Sequence, residues 1–170
     1  MGTFLAVGKY DSYAKDVLRD TFGERFSTTD DVVFSFGKDA GTGEVDGTID
    51  GNIAVEIGVG SPKQVRASVL DLIFHPYPGK LLVLVDTPGH STERSVNQAA
   101  TILGRAGCSG VVFRLPAQGD RDLEAIRVDL AEVVDKYIGE TEKNLVRVFD
   151  AIEGTDEVLL FDEGDGLFGR

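Results

Sequence analysis

Apolar residues recur at Tyr13, Ala14, Val17 and Leu18 within residues 12–20, a helical spacing that follows the capping candidate Asp11. Three β-like pieces come next, at 32–36, 44–49 and 53–59, separated by the turn-forming stretches 37–43 and 50–52, and they read as a meander. Ser61 stands as a capping hydroxyl before Pro62, and Val65, Val69, Leu72 and Ile73 mark an apolar stripe, so a second helix is predicted to run to Phe74, where Pro76 and Pro78 prevent continuation. Residues 81–85 and 110–115 are continuous apolar strands of the kind buried on both faces, with a helical stretch 92–104 between them. Strand, helix, strand implies a parallel pair with a right-handed crossover. Residues 1–115 therefore read α-β-β-β-α-β-α-β. Beyond the polar link 116–122 the pattern suggests a short strand at 126–128, a helix at 144–151 and a buried strand at 158–161.

Alternation assigns the faces of the hairpin at 45–57. Ile53, Val55 and Ile57 share one face, and Ala54, Glu56 and Gly58 share the other. On the preceding strand Val45 and Ile49 go with the apolar face, leaving Asp46 and Thr48 on the polar one. The three-residue loop Asp50-Gly51-Asn52 then sets Ile49 opposite Ile53 and Asp46 opposite Glu56. Two carboxylates roughly 5 Å apart at Cβ repel unless a proton or a cation intervenes. A shared Mg2+ is the economical resolution, and the plainer alternative is that both belong to the solvated face of an edge hairpin.

Composition narrows the setting. A chain of 170 residues with 42% hydrophobic and 27% charged residues suits one globular domain with at most an appendage. Its longest apolar runs fall far short of the roughly 20 residues that cross a bilayer, and no basic leader opens the chain, so no membrane partner and a cytoplasmic location are expected. The one cysteine, Cys108, excludes an intrachain disulfide, and with His75 and His90 as the two histidines a metal would rest on carboxylates, which favours a hard cation. The net charge of −12 argues against a sequence-independent grip on nucleic acid. That charge is uneven, however: residues 1–118 are net −3 and residues 119–170 net −9. The acidity therefore marks a boundary at 118/119 and weighs little against a nucleic-acid partner for the first segment.

The α-β-β-β-α-β order, with Asp46 on the second strand and Val55-Glu56-Ile57 on the third, resembles the PD-(D/E)xK nuclease superfamily over residues 10–115. The resemblance implies a restriction-endonuclease-like mixed sheet acting on DNA, with Asp46 and Glu56 as Mg2+ ligands and Asp50, in the turn, as a weaker candidate. The residue two after the Glu, usually Lys in that family, is Gly58 here. Lys63, at the start of the second helix, is then the implied lysine that helps activate water, with Gln64 and Arg66 available for phosphate.

The last third carries a different signal. Val158-Leu-Leu-Phe-Asp162-Glu163 resembles a Walker B strand, and Lys136-Tyr137-Ile138-Gly139 resembles the aromatic pore loop of AAA+ ATPases, with the helix Glu140-Thr-Glu-Lys-Asn144 between them. The resemblance assigns Asp162 to the nucleotide's Mg2+, Glu163 to the attacking water, and Tyr137, Ile138 and Gly139 to polypeptide grip. Nothing reads Gly-x-x-x-x-Gly-Lys-Ser/Thr, and no sensor, arginine finger or lid follows, so ATP is not expected to bind and Asp162 and Glu163 are expected to be inactive. Val85-Asp86-Thr87-Pro88-Gly89-His90 imitates a GTPase switch loop but reads better as a turn after a buried strand. Arg94 and Arg105 are placed at the surface, within reach of a phosphate backbone.

The expected fold is α/β, a mixed central sheet over 1–118 with a partial AAA+-like appendage over 119–170. The expected function is a Mg2+-dependent phosphodiesterase. The alternatives are a non-enzymatic accessory or targeting module of an AAA+ ATPase, with that ATPase or its substrate as partner, and an AAA+ fragment completed in trans.

Overall fold

The computed structural model describes the backbone of residues 2–139, 145–150 and 158–162 and the side chains of residues 8–139. In chain order its elements are α1 (Gly2–Phe22), β1 (Phe26–Ser27), β2 (Val33–Ser35), β3 (Thr42–Glu44), β4 (Gly47–Ile49), β5 (Ile53–Gly58), α2 (Pro62–Phe74), β6 (Gly79–Val85), α3 (Thr92–Arg105), β7 (Gly110–Leu115), α4 (Leu123–Gly139), β8 (Leu145–Asp150) and β9 (Val158–Asp162). Seven strands form one sheet in the order β1-β4-β5-β6-β7-β8-β9, and β2 and β3 form a separate ribbon. The central strands β5 to β8 are parallel, with antiparallel pairings at both margins.

Strand alternation builds two cores. Ile53, Val55, Ile57, Leu81, Val83, Val85, Val111, Phe113 and Leu115 face α1 and α4, while Ala54, Leu82, Leu84 and Val112 face α2 and α3. The sheet is thus covered on both faces, as a mainly parallel sheet must be. Ser61 and Gln64 form a reciprocal capping box and Pro62 opens the first turn, so α2 starts where its sequence demands. Ser91 caps α3 by accepting from the Arg94 amide. At the other end of the molecule the Tyr137 hydroxyl accepts from the Lys80 amide at 3.0 Å and donates to the Ser109 carbonyl at 2.8 Å. That pair of bonds ties the end of α4 to the starts of β6 and β7.

Four expectations need correction. The piece at 32–36 does not enter the sheet: β2 pairs with β3 as a ribbon, and the short β1 takes the outer position beside β4. The expected strand 44–49 breaks at Val45-Asp46, because the Val45 amide donates to Val32 and its side chain joins the α2/α3 core, not the α1/α4 core that holds Ile49. Residues 126–128 are helical: Ile126, Leu130, Val133, Val134 and Tyr137 form one buried stripe of α4. Residues 145–150, expected in a helix, form strand β8 instead, consistent with the β-branched and aromatic residues Val146, Val148 and Phe149.

The connection through α4 differs from the two before it. α2 and α3 cross on one face as the strand order advances from β5 to β7, whereas α4 crosses on the opposite face while the order still advances to β8. The β7-α4-β8 unit therefore has the opposite hand to its predecessors, a rare arrangement for parallel strands. It falls at the connection where the charge balance shifts, and the sheet continues across it.

Candidate functional site

β4 and β5 pair with Ile49 opposite Ile53, Thr48 opposite Ala54 and Gly47 opposite Val55. The register carries Asp46, just before β4, to the place opposite Glu56, as the hairpin arithmetic predicts. Asp46 Oδ2 accepts from the Ile57 amide at 2.7 Å, which fixes its carboxylate beside its neighbour. The two side chains are hydrogen-bonded to each other.

The face carrying Glu56 is not solvated. Glu56 is only 5% exposed, because α2 lies across this side of β5. Burial, then the charges of Asp46 and Asp71, push its carboxyl up to about 10, and a hydrogen bond with Ser68 opposes the shift. Asp46 is raised by burial against the opposing pull of the Ile57 amide, with Asp11 adding to the rise and Lys15 countering it. Asp71 is raised by burial and by Asp46. Burial and the neighbouring carboxylates thus favour the protonated form of Glu56, which can donate to Asp46. Ser68 and Asp71 escaped the sequence reading, although they are polar positions beside the buried stripe Val65, Val69 and Leu72.

The remaining nuclease-like positions do not join this pair. Lys63 is exposed in the first turn of α2 and is not among the groups acting on Glu56. The Gln64 side-chain oxygen accepts from the Ser61 amide at 2.9 Å, so its role is the helix cap. Arg66 reaches across to α3 and donates to Gln98 at 3.3 Å. Asp50 is held in a two-pronged ion pair with Arg25, at 2.9 and 2.8 Å, which keeps its carboxyl below the usual range. Gly58 is enclosed: a Cβ there would overlap the Leu84 side chain, with Leu82 and Val65 at 3.6 Å. Among the described residues no group of three His, Cys, Asp or Glu could hold a metal ion. Two carboxylates with several waters suit Mg2+, provided Glu56 first gives up its proton.

The loop after β6 borders a second feature. Asp86, Thr87, Pro88, His90, Ser91 and Arg114 help line a cavity of about 430 Å³ at the ends of β6 and β7. Arg114 donates to Asp86 at 2.9 Å, so these two charges neutralise each other. His75 is also structural: its Nδ1 accepts from the Tyr77 amide and its Nε2 meets the Asp31 carbonyl.

For the AAA+-like positions the helix is decisive. Tyr137 is 1% exposed in the last turns of α4, a buried hydrogen-bonding residue, with Ile138 packed against the same core. This corrects its expected place in an exposed loop. Asp162 closes β9 in register with Leu145, while Val146 pairs Gly110 at the start of β7. Because β9 runs antiparallel, Asp162 sits at the sheet edge where β7 and β8 begin, opposite the edge where β6 and β7 end. The Asp162 side chain and Glu163 lie outside the described residues. No described helix is long and apolar enough to cross a membrane.

Residues 101–170 match the model of the ATPase family associated with various cellular activities (AAA). A stretch of 74 residues is 30% identical to Cell division protein C of Sulfolobus acidocaldarius, covering 40% of this chain. The aligned part spans about 20% of that relative's length. No solved structure matches. The match begins within α3 and takes in the turn from Gly104 to Gly110, so it reaches further back than the resemblance read from 126–170. That turn runs from a helix into a strand. A phosphate-binding loop has the reverse order, strand into helix, because the helix N-terminus supplies its amides.

Proposed function

We propose that this chain is a non-enzymatic accessory module of an AAA-type ATPase, an α/β sandwich with AAA-related residues built into its sheet. The observation that carries the reading is the sharing of one sheet: β7 lies within the AAA-matching stretch and pairs with β6 from Leu81 to Val85. Nucleotide chemistry by these residues alone is disfavoured by the helix-to-strand order at Gly104–Gly110. It is disfavoured too by the edge occupied by Asp162, since ligands of open α/β sheets bind outside the carboxyl ends of the parallel strands. The partner in this reading is an ATPase that carries its own phosphate loop.

Affinity purification of the tagged chain, followed by mass spectrometry, tests this directly. Recovery of an AAA-type ATPase with an intact Gly-x-x-x-x-Gly-Lys-Ser/Thr loop is expected. Failure to recover any such ATPase, or tight ATP binding by the chain alone in calorimetry, would contradict the reading.

A second reading, a Mg2+-dependent nuclease acting on DNA, is favoured by the apposition of Asp46 and Glu56 beneath α2. In it both carboxylates hold the metal, which would stabilise charge on the scissile phosphate. It ranks lower because the position two after Glu56 is closed by Leu84 and because Lys63, exposed in the first turn of α2, is not among the charged groups acting on Glu56.

A further inference from the structure

The outward side of α2 carries Lys63, Arg66, Ala67, Leu70 and Phe74, five exposed positions that fall on one helical face. Leu70 and Phe74 are 51% and 50% exposed, although an outward stripe on such a helix is ordinarily polar. Phe74 is braced edge-on by Phe36 at 5.2 Å, and Phe36 by Phe34 at 5.0 Å, so the β2–β3 ribbon forms an aromatic wall beside the C-terminal half of the stripe. The Arg66–Gln98 bond joins this stripe to that of α3, where Arg94, Gln98, Thr101 and Arg105 share one side. These nine outward positions hold four cations, flanked by only two carboxylates, the exposed Glu93 and the half-buried Asp71, on a chain whose net charge is −12.

We infer that the α2/α3 face is a docking surface for an acidic amphipathic segment of a partner protein. Its carboxylates would lie over Lys63, Arg66 and Arg94, and its apolar side chains, spaced three and four apart, over Leu70, Phe74 and Phe36. Charge complementarity selects this occupant. A second copy of the same face would bring like charges together, or, turned end for end, would leave the four cations without a carboxylate to neutralise them. A nucleic-acid backbone would satisfy the cations but leave the apolar half uncovered. The capping box holds the start of α2 in place before binding, which limits the ordering needed on association. Only Thr101 and Arg105 of these positions fall within the AAA-matching stretch, and the inference does not rest on that match.

The test uses the full chain and a fluorescent helical peptide of about four turns, with leucines on one face and glutamates over one half. Counter-probes are the same peptide with lysines for glutamates, a duplex DNA of similar length, and phosphatidylglycerol–phosphatidylcholine vesicles. The acidic peptide should bind best and weaken with salt. The pair Lys63→Glu and Arg66→Glu, and separately the pair Leu70→Ser and Phe74→Ser, should each reduce its affinity about tenfold or more with circular dichroism unchanged. Equal binding of the lysine peptide, tighter binding of DNA or vesicles, or indifference to either variant pair would overturn the inference.

Discussion

Gly58 and Leu84 claim the same space: the methyl group of Leu84 stands where any side chain at position 58 would begin. Both lie on the α2 face of the sheet, paired across β5 and β6. The glycine is therefore a packing requirement, and a lysine in its place would have no room. Gly58→Lys should destabilise by more than the roughly 1–3 kcal/mol of overpacking alone, because it also buries an ammonium among Leu84, Leu82 and Val65, and it should produce no cleavage activity. Leu84→Ala should cost about 2–5 kcal/mol through its cavity. Combined, the two should cost less than their sum, measured by urea unfolding; strict additivity would show that the residues do not share one space.

Glu56 makes stability depend on pH in a defined direction. Its folded value, about 10, lies above its ordinary 4.5, so between these limits the folded chain binds the proton more tightly than the unfolded chain. The contribution is fully present below 4.5 and is lost as pH rises toward 10, on the order of 3 kcal/mol of it by neutrality. Glu56→Gln keeps the hydrogen-bonding shape without the ionisation. The difference in unfolding free energy between Glu56→Gln and wild type should therefore shift in favour of the variant from pH 5 to pH 9; a constant difference would show that Glu56 is ionised in the folded chain.

Much of this geometry was legible in the sequence, and the exceptions have physical causes. The hairpin register followed from a three-residue loop and the need to bury Ile49 with Ile53. The limits of α2 followed from Ser61, Pro62 and Pro76. What alternation could not reveal was that α2 covers the Glu56 face, since a strand that looks half-solvated by pattern is fully buried once a helix crosses it. The break at Val45-Asp46 was hidden because it depends on a long-range amide bond to Val32. The stripe from Ile126 to Tyr137 was present in the spacing, but its short β-branched start mimics a strand.

Tyr137 separates a core role from a pore-loop role. Tyr137→Phe removes the hydroxyl that satisfies the Lys80 amide and the Ser109 carbonyl, both buried. The expected loss is about 1–3 kcal/mol in urea unfolding. An unchanged midpoint would mean that Tyr137 is not held in the core.

Gln64 likewise separates a cap from a phosphate contact. Gln64→Ala should lower stability by about 0.5–1 kcal/mol through loss of half the capping box. It should leave any DNA affinity of the chain unchanged. A change in DNA affinity with no change in stability would reverse the assignment.

The two readings divide on the buried Asp46–Glu56 pair, and the non-enzymatic one requires that it not serve as a phosphodiesterase centre. Supercoiled-plasmid nicking by the wild-type chain and Glu56→Ala, in Mg2+ and in Mn2+, tests it most directly. No metal-dependent nicking above background is expected from either protein. Nicking that requires the metal and disappears in Glu56→Ala would contradict it.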